Sequence, residues 1–154
     1  MACGIHEDEE KTEYRFPDCF PPNFAEDILP KNIKPASIEV FRVCKYGKID
    51  KQAFLSTFEE VQLGLRPPGL KWNSRLKDPG TYATSCSTDL EQVIGVMDVL
   101  QGYHPKAFLC AGVASSELGP VQRTSERKEN AGGHVDWWLF KGSDPSPSFR
   151  QVEE

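Results

Sequence analysis

Residues 81–102, TYATSCSTDLEQVIGVMDVLQG, decide the fold class, because they set a strand directly against a helix. The first half, TYATSCS, is rich in β-branched and aromatic residues and reads as a strand running into a cap. From Thr88 the pattern changes. Thr88 and Glu91 have capping-box spacing, and apolar residues at 90, 93, 94, 97 and 100 recur at helical period before Gly102. Ser87 or Thr88 is the expected cap of this helix.

Working outward, SIEVFRVCKYG (37–47) alternates Ile38, Val40, Arg42 and Cys44 against Glu39, Phe41, Val43 and Lys45, which predicts a strand. DKQAFLSTFEEVQLGL opens on Asp50 as N-cap and places Ala53, Phe54, Phe58, Val61 and Leu65 at helical spacing. RPPGLKWNSRLKDPG predicts a loop anchored by Trp72 and Leu76. KAFLCAGVA (106–114) predicts a buried strand, SSELGPVQRTSERKENAGG a polar loop, and GGHVDWWLFKGSDPSPSFRQV (132–152) one or two closing strands. Upstream, YRFPDCFPPNFAEDILPKNIKP carries five prolines, so it is an arm over 14–36 pinned by Phe16, Phe20, Phe24, Ile28 and Leu29. Residues 1–13 are acidic and read as a flexible tail. The expectation is one α+β domain over 14–154, with a mixed or antiparallel sheet flanked by two main helices.

The chain has 154 residues, enough to bury about two-thirds of its unfolded surface. Its net charge of −5 disfavours duplex nucleic acid, whose phosphates call for basic residues. It does not disfavour a small anion held by one or two arginines. No stretch has the length of apolar residues a membrane span needs, and the acidic N-terminus does not read as a secretion signal. Five widely spaced cysteines without a C-x-x-C pair fit reduced thiols in a cytoplasmic protein.

Three places carry candidate chemistry. Arg42 interrupts an apolar strand, either to pair with a carboxylate such as Glu39 or Glu60, or to present its planar fork to an anion. Thr84, Ser85, Cys86 and Ser87 crowd short polar side chains at a strand-to-helix junction; they satisfy local backbone groups or surround an anion or ribose. His134, Asp136 and Trp138 share one face of a strand, so Asp136 is the edge of a cleft, the cap of a turn, or the partner of Arg42 or Arg123. Weaker readings are a thiol nucleophile from Cys86 with His134 or His104, and a metal held by His134 and Asp136, for which no ligand spacing exists.

The order Arg on an early strand, Ser/Thr strand, then acid at the head of a late strand resembles the Arg–Ser–Glu class of ADP-ribosyltransferases. The match is VFRVC at Arg42, ATSCS at Thr84, Ser85 and Ser87, and HVDWWLFKGSDPSPSFRQV with Asp136 in the acid's position. The intervals are 43 residues from Arg42 to Ser85 and 51 from Ser85 to Asp136. Three positions depart from the family: Asp stands for Glu, Thr-Ser-Cys-Ser for Ser-Thr-Ser, and His134 for Glu or Gln.

The resemblance implies NAD as substrate and transfer of ADP-ribose to a macromolecular acceptor, and no metal is expected for want of ligand spacing. Arg42 would hold the phosphates, Ser85 brace the nicotinamide ribose, and Asp136 bond its 2′-hydroxyl and stabilise the oxocarbenium ion. Thr84, Ser87 and His134 would complete the NAD pocket, and Tyr82 or Trp138 would stack on nicotinamide. The loop 115–133 would meet the acceptor. The competing reading is a non-catalytic binding module for a protein partner or a nucleotide, to which the Asp and the paired Trp137 and Trp138 are suited. The two readings differ in whether Arg42, Ser85 and Asp136 converge on one cleft.

Overall fold

The computed structural model describes residues 15–152 and shows one α+β unit built on a six-stranded antiparallel sheet. The strands are β1 (Ser37–Cys44), β2 (Thr84–Ser87), β3 (Phe108–Ser115), β4 (Val121–Arg123), β5 (His134–Trp137) and β6 (Arg150–Gln151). Their order is β4-β5-β2-β1-β3-β6. The expected acidic tail over 1–13 lies outside the described residues.

Alternation along β1 sorts the sheet into two faces. Ile38, Val40 and Cys44 look to one side, where Cys110, Ala114, Val121, Val135 and Trp137 join them with Phe54 and Phe149 in the main core. Phe41 and Val43 look to the other, against Leu109 and the helix residues Val93 and Met97. That helix, α3 (Leu90–Leu100), follows α1 (Thr57–Gln62) and α2 (Trp72–Arg75) in the chain.

The junction before α3 is built differently from the expected one. Asp89 is the N-cap, accepting from the Gln92 N–H, while the Ser87 hydroxyl accepts from the Asp89 N–H one step earlier. The expected long helix from Asp50 is also broken. Asp50 caps a 3-10 turn, Lys51–Phe54, and Ser56 then starts α1 with a reciprocal capping box to Glu59. The extended Leu55 between them turns the chain, so only one helix of eleven residues flanks the sheet.

The proline-rich stretch before β1 packs on the sheet domain through its aromatic residues. Phe20 and Phe24 are buried against Phe58, Tyr82 and Trp138, with Phe16, Ile28, Leu29, Trp72 and Leu76 at the margin. Edge-on ring contacts at 4.9–5.7 Å join Phe20 to Phe24, Phe58 and Tyr82. Both tryptophans of the Trp137–Trp138 pair are fully buried, Trp137 in the main core and Trp138 in the cluster under the arm, so neither is an exposed interface aromatic.

The loop expected over 115–133 contains the short strand β4, and its return past β5 depends on Gly119. A Cβ there would stand 2.0 Å from the Trp138 carbonyl oxygen and 2.7 Å from the Leu139 Cα. Both are backbone atoms that cannot swing away. Gly119→Ala is therefore expected to destabilise the fold by more than about 3 kcal/mol, visible as a large fall in the urea midpoint. A midpoint within error of the wild type would contradict this packing.

Candidate functional site

β1 pairs with β3 at eight positions and β2 with β5 at four, yet β1 and β2 meet at a single one, Phe41 with Ser87. Phe41–Ser87 is the one register pair between the two central strands, and residues of both line a cleft of about 270 Å³. Phe41, Val43, Leu55, Val93, Val96 and Leu100 supply its apolar lining. The polar lining comes from Arg42, Ser85, Ser87, Gln92 and His134, with Lys45, Glu60 and Arg66 at one end.

Arg42 holds the gap between these strands. Its Nε donates to the Ala53 carbonyl at 2.9 Å, one Nη to the Leu55 carbonyl at 3.3 Å, and the other Nη to the Ser85 carbonyl. The first two acceptors lie in the turn beneath the gap and the third on β2, so one guanidinium ties three segments. Among the described residues no carboxylate forms an ion pair with it: Glu60, one of the two expected partners, is bound by Lys45, Tyr46 and Arg66, and Glu39 forms no ion pair with it. Three of the fork's five N–H donors are thus assigned, all to carbonyls, and the guanidinium lies over the Phe54 ring, 6.0 Å from its centroid.

Glu60 is buried and bound by Lys45 at 2.8 Å, by the Tyr46 hydroxyl at 2.7 Å and by Arg66 at 3.5 Å. Burial alone would raise its carboxyl, but the hydrogen bonds from Lys45 and Tyr46 outweigh burial and hold it below the ordinary 4.5. Burial pushes the Lys45 ammonium down, against the pull of Glu60. The cleft still carries three cations against one carboxylate, in a protein whose net charge is negative.

The expected site residues divide into two groups. Arg42, Ser85, Ser87 and His134 line this cleft together. Ser85 is exposed and opposes Asp136 across the β2–β5 ladder, and Ser87 opposes His134. Asp136, Tyr82, Thr84 and Trp138 do not line it. Tyr82 donates its hydroxyl to the Leu76 carbonyl, Trp138 its indole N–H to the Pro79 carbonyl, and Thr84 its hydroxyl to the Phe54 carbonyl. Each of these three is a buried polar residue with a backbone partner, which is what burial requires.

Asp136 is fully buried next to the cleft rather than in it. Its partner is neither Arg42 nor Arg123. Arg127 reaches Oδ2 at 2.6 Å, and the Thr124 hydroxyl donates to the same oxygen at 2.7 Å. Arg127 in turn donates to Gln122 and lies over the Trp138 ring, 5.5 Å from its centroid. Sequence reasoning missed both Thr124 and Arg127, which sit in the polar loop before β5. Their one sequence signal is a basic, hydroxyl-bearing run, RTSERK, about ten residues ahead of the acid.

Cys86 does not pair with His134. It opposes Val135, projects to the other face, and is buried with its thiol pushed up to about 11 by desolvation. His104 is packed edge-on against Tyr46 instead. The four described cysteines are free thiols. Among the described residues no group of three or more His, Cys, Asp or Glu is placed to hold a metal ion, and no helix is long and apolar enough to cross a membrane.

Two outcomes follow from this geometry. Arg42→Lys keeps the charge but loses the fork, leaving carbonyls of the gap unbonded, at about 2–3 kcal/mol in urea unfolding; an unchanged midpoint would show that the gap does not rest on the fork. The lowered Glu60 carboxyl adds stability that is complete above its ordinary 4.5 and is lost as pH falls through the lowered value. A plot of unfolding free energy against pH below 4.5 should therefore be flatter in Glu60→Gln than in the wild type; identical slopes would contradict the depression.

No protein-family model matches this chain, and neither does any curated protein or solved structure; the site's chemistry rests on its own residues.

Proposed function

We propose that this chain is a binding module whose cleft takes a small anionic ligand with a flat apolar body, of mononucleotide chemistry. The observation that carries this reading is Arg42: a guanidinium on a cleft wall, with donors to spare and, among the described residues, no carboxylate in an ion pair with it. An anion supplies the missing charge through the planar fork. The apolar wall of Phe41, Val43, Val93 and Leu100 accepts a base or another aromatic body, and the exposed Ser85 and the Gln92 amide offer polar contacts along its edge. Ligand sites commonly enclose about 300–1,000 Å³, so a cleft of about 270 Å³ suits a single nucleotide better than a whole dinucleotide.

Transfer of ADP-ribose from NAD is the narrower alternative, favoured by the shared placement of Arg42, Ser85, Ser87 and His134. It needs a carboxylate in contact with the nicotinamide ribose. Asp136 is enclosed by Arg127 and Thr124 instead, and this supports binding over transfer. NAD then enters, if at all, by its adenylate half.

Thermal unfolding with millimolar AMP or NAD tests both readings, because a ligand of the folded state raises the midpoint by mass action. AMP is expected to raise it in the wild type and not in Val96→Trp, whose indole fills the cleft from a half-exposed helix position. Arg42 is the wrong residue to remove, since its loss also opens the fold. NAD is expected to release no nicotinamide above the protein-free rate. No shift with either nucleotide would sink the binding reading, and steady nicotinamide release would restore the transferase.

A further inference from the structure

The ion pair does not exhaust the buried carboxylate of Asp136. The Thr124 hydroxyl, which lies 2.7 Å from Asp136 Oδ2, is also 2.6 Å from His134 Nδ1. A threonine hydroxyl has one proton to give. Asp136 Oδ2 already faces the Arg127 guanidinium at 2.6 Å and so acts as an acceptor; the Thr124 proton goes to it. The proton between Thr124 and His134 must then belong to the imidazole, on Nδ1.

A second observation points the same way. Asp136 Oδ1 is buried without a hydrogen-bond partner and lies 3.8 Å from the same Nδ1. A lone pair on Nδ1 would face two oxygen acceptors, whereas an N–H is attracted to both. The lone pair of the neutral ring is therefore on Nε2. His134 is a third exposed on the cleft wall, and its Nε2 is neither bonded nor sealed in among the described residues.

We infer that His134 is the fixed hydrogen-bond acceptor of the cleft, locked as the Nδ1–H tautomer by Thr124 and the Asp136–Arg127 pair, and that it selects ligands offering it a hydroxyl or N–H proton. The inference rests on the reading of the cleft as a ligand site. An isolated histidine favours the Nε2–H form, so the relay reverses the ordinary preference. The logic is that of a carboxylate orienting a histidine through its rear nitrogen, here with a threonine between them. A nucleotide meets the requirement with a ribose hydroxyl or an exocyclic amine. A ligand presenting only acceptors at this point leaves two lone pairs opposed and is disfavoured. Thr124, Asp136 and Arg127 are positioning residues, and the burial of Thr124 and Asp136 strengthens the hydrogen bond between them.

Long-range proton–nitrogen NMR of the histidine rings decides the matter on the whole protein without ligand, with His134→Gln used to assign the signal. The wild type should show Nδ1 protonated and Nε2 bare. Thr124→Val should move His134 toward the Nε2–H form and weaken AMP about tenfold, while Thr124→Ser should behave as wild type in both. Added AMP should shift the Nε2 resonance toward the protonated range with the tautomer kept. An Nε2–H wild type overturns the proposal, and this holds even where Thr124→Val fails to fold. So does a folded Thr124→Val with an unchanged tautomer, or AMP that binds without moving the Nε2 signal. If AMP does not bind while the ring is Nδ1–H, the reading of the cleft fails and the acceptor assignment stands.

Discussion

The parting of β1 from β2 is the constraint on which the rest of the molecule depends. Two central strands that meet at one position leave backbone groups facing a gap, and each buried carbonyl left unbonded costs about 1–3 kcal/mol. A zipped ladder would remove that cost and also remove the cleft. Arg42 resolves the conflict by donating to three carbonyls of two segments, Ala53 and Leu55 in the turn and Ser85 on β2. A lysine, with one point of charge and no fork, cannot span them. The residue that looks out of place in an apolar strand is thus the one that keeps the sheet open.

The same economy appears on the neighbouring side of the cleft. A buried ion pair seldom adds much to stability, because desolvation consumes most of the attraction. Asp136 and Arg127 are better understood through what they hold. Arg127 brings the loop before β5 down over Trp138, Asp136 orders the Thr124 hydroxyl, and Thr124 meets the rear nitrogen of His134. Order runs from the core outward and ends at a side chain on the cleft wall. Arg42 and His134 are thus each held by hydrogen-bond partners of the fold, and both line the cleft.

Periodic patterns made the α+β class, β1 and α3 legible in the sequence, because each buries a regular stripe, and an unbroken apolar run marked β3. The break in the helix after Asp50 was also written there, in Ser56 and Glu59, but the apolar positions on both sides of Leu55 happened to fall in one helical register and masked it. β4 left almost no pattern: three residues, two of them polar, inside a loop. At the site, the oddity of Arg42 was visible but its partners were not, since carbonyl acceptors carry no residue signature. Arg127 and Thr124 were hidden for the opposite reason. They are ordinary polar loop residues, and only the fold turns them inward onto Asp136.

The length of one side chain separates the two functional readings. Asp136 opposes Ser85 across the ladder, so its backbone stands where a cleft carboxylate would have to start. With a single methylene, its carboxylate stays close to the sheet, within reach of Thr124 on the adjoining turn and of Arg127 above Trp138. Glutamate would carry the charge about 1.5 Å further, past both partners. A carboxylate that must stabilise an oxocarbenium ion has to be available to the substrate. Asp136 instead takes the Thr124 proton and the Arg127 ion pair on Oδ2, and its Oδ1, 3.8 Å from His134 Nδ1, is enclosed beside the cleft rather than in it. On the binding reading, the aspartate therefore orients a histidine toward the ligand instead of acting on the ligand itself.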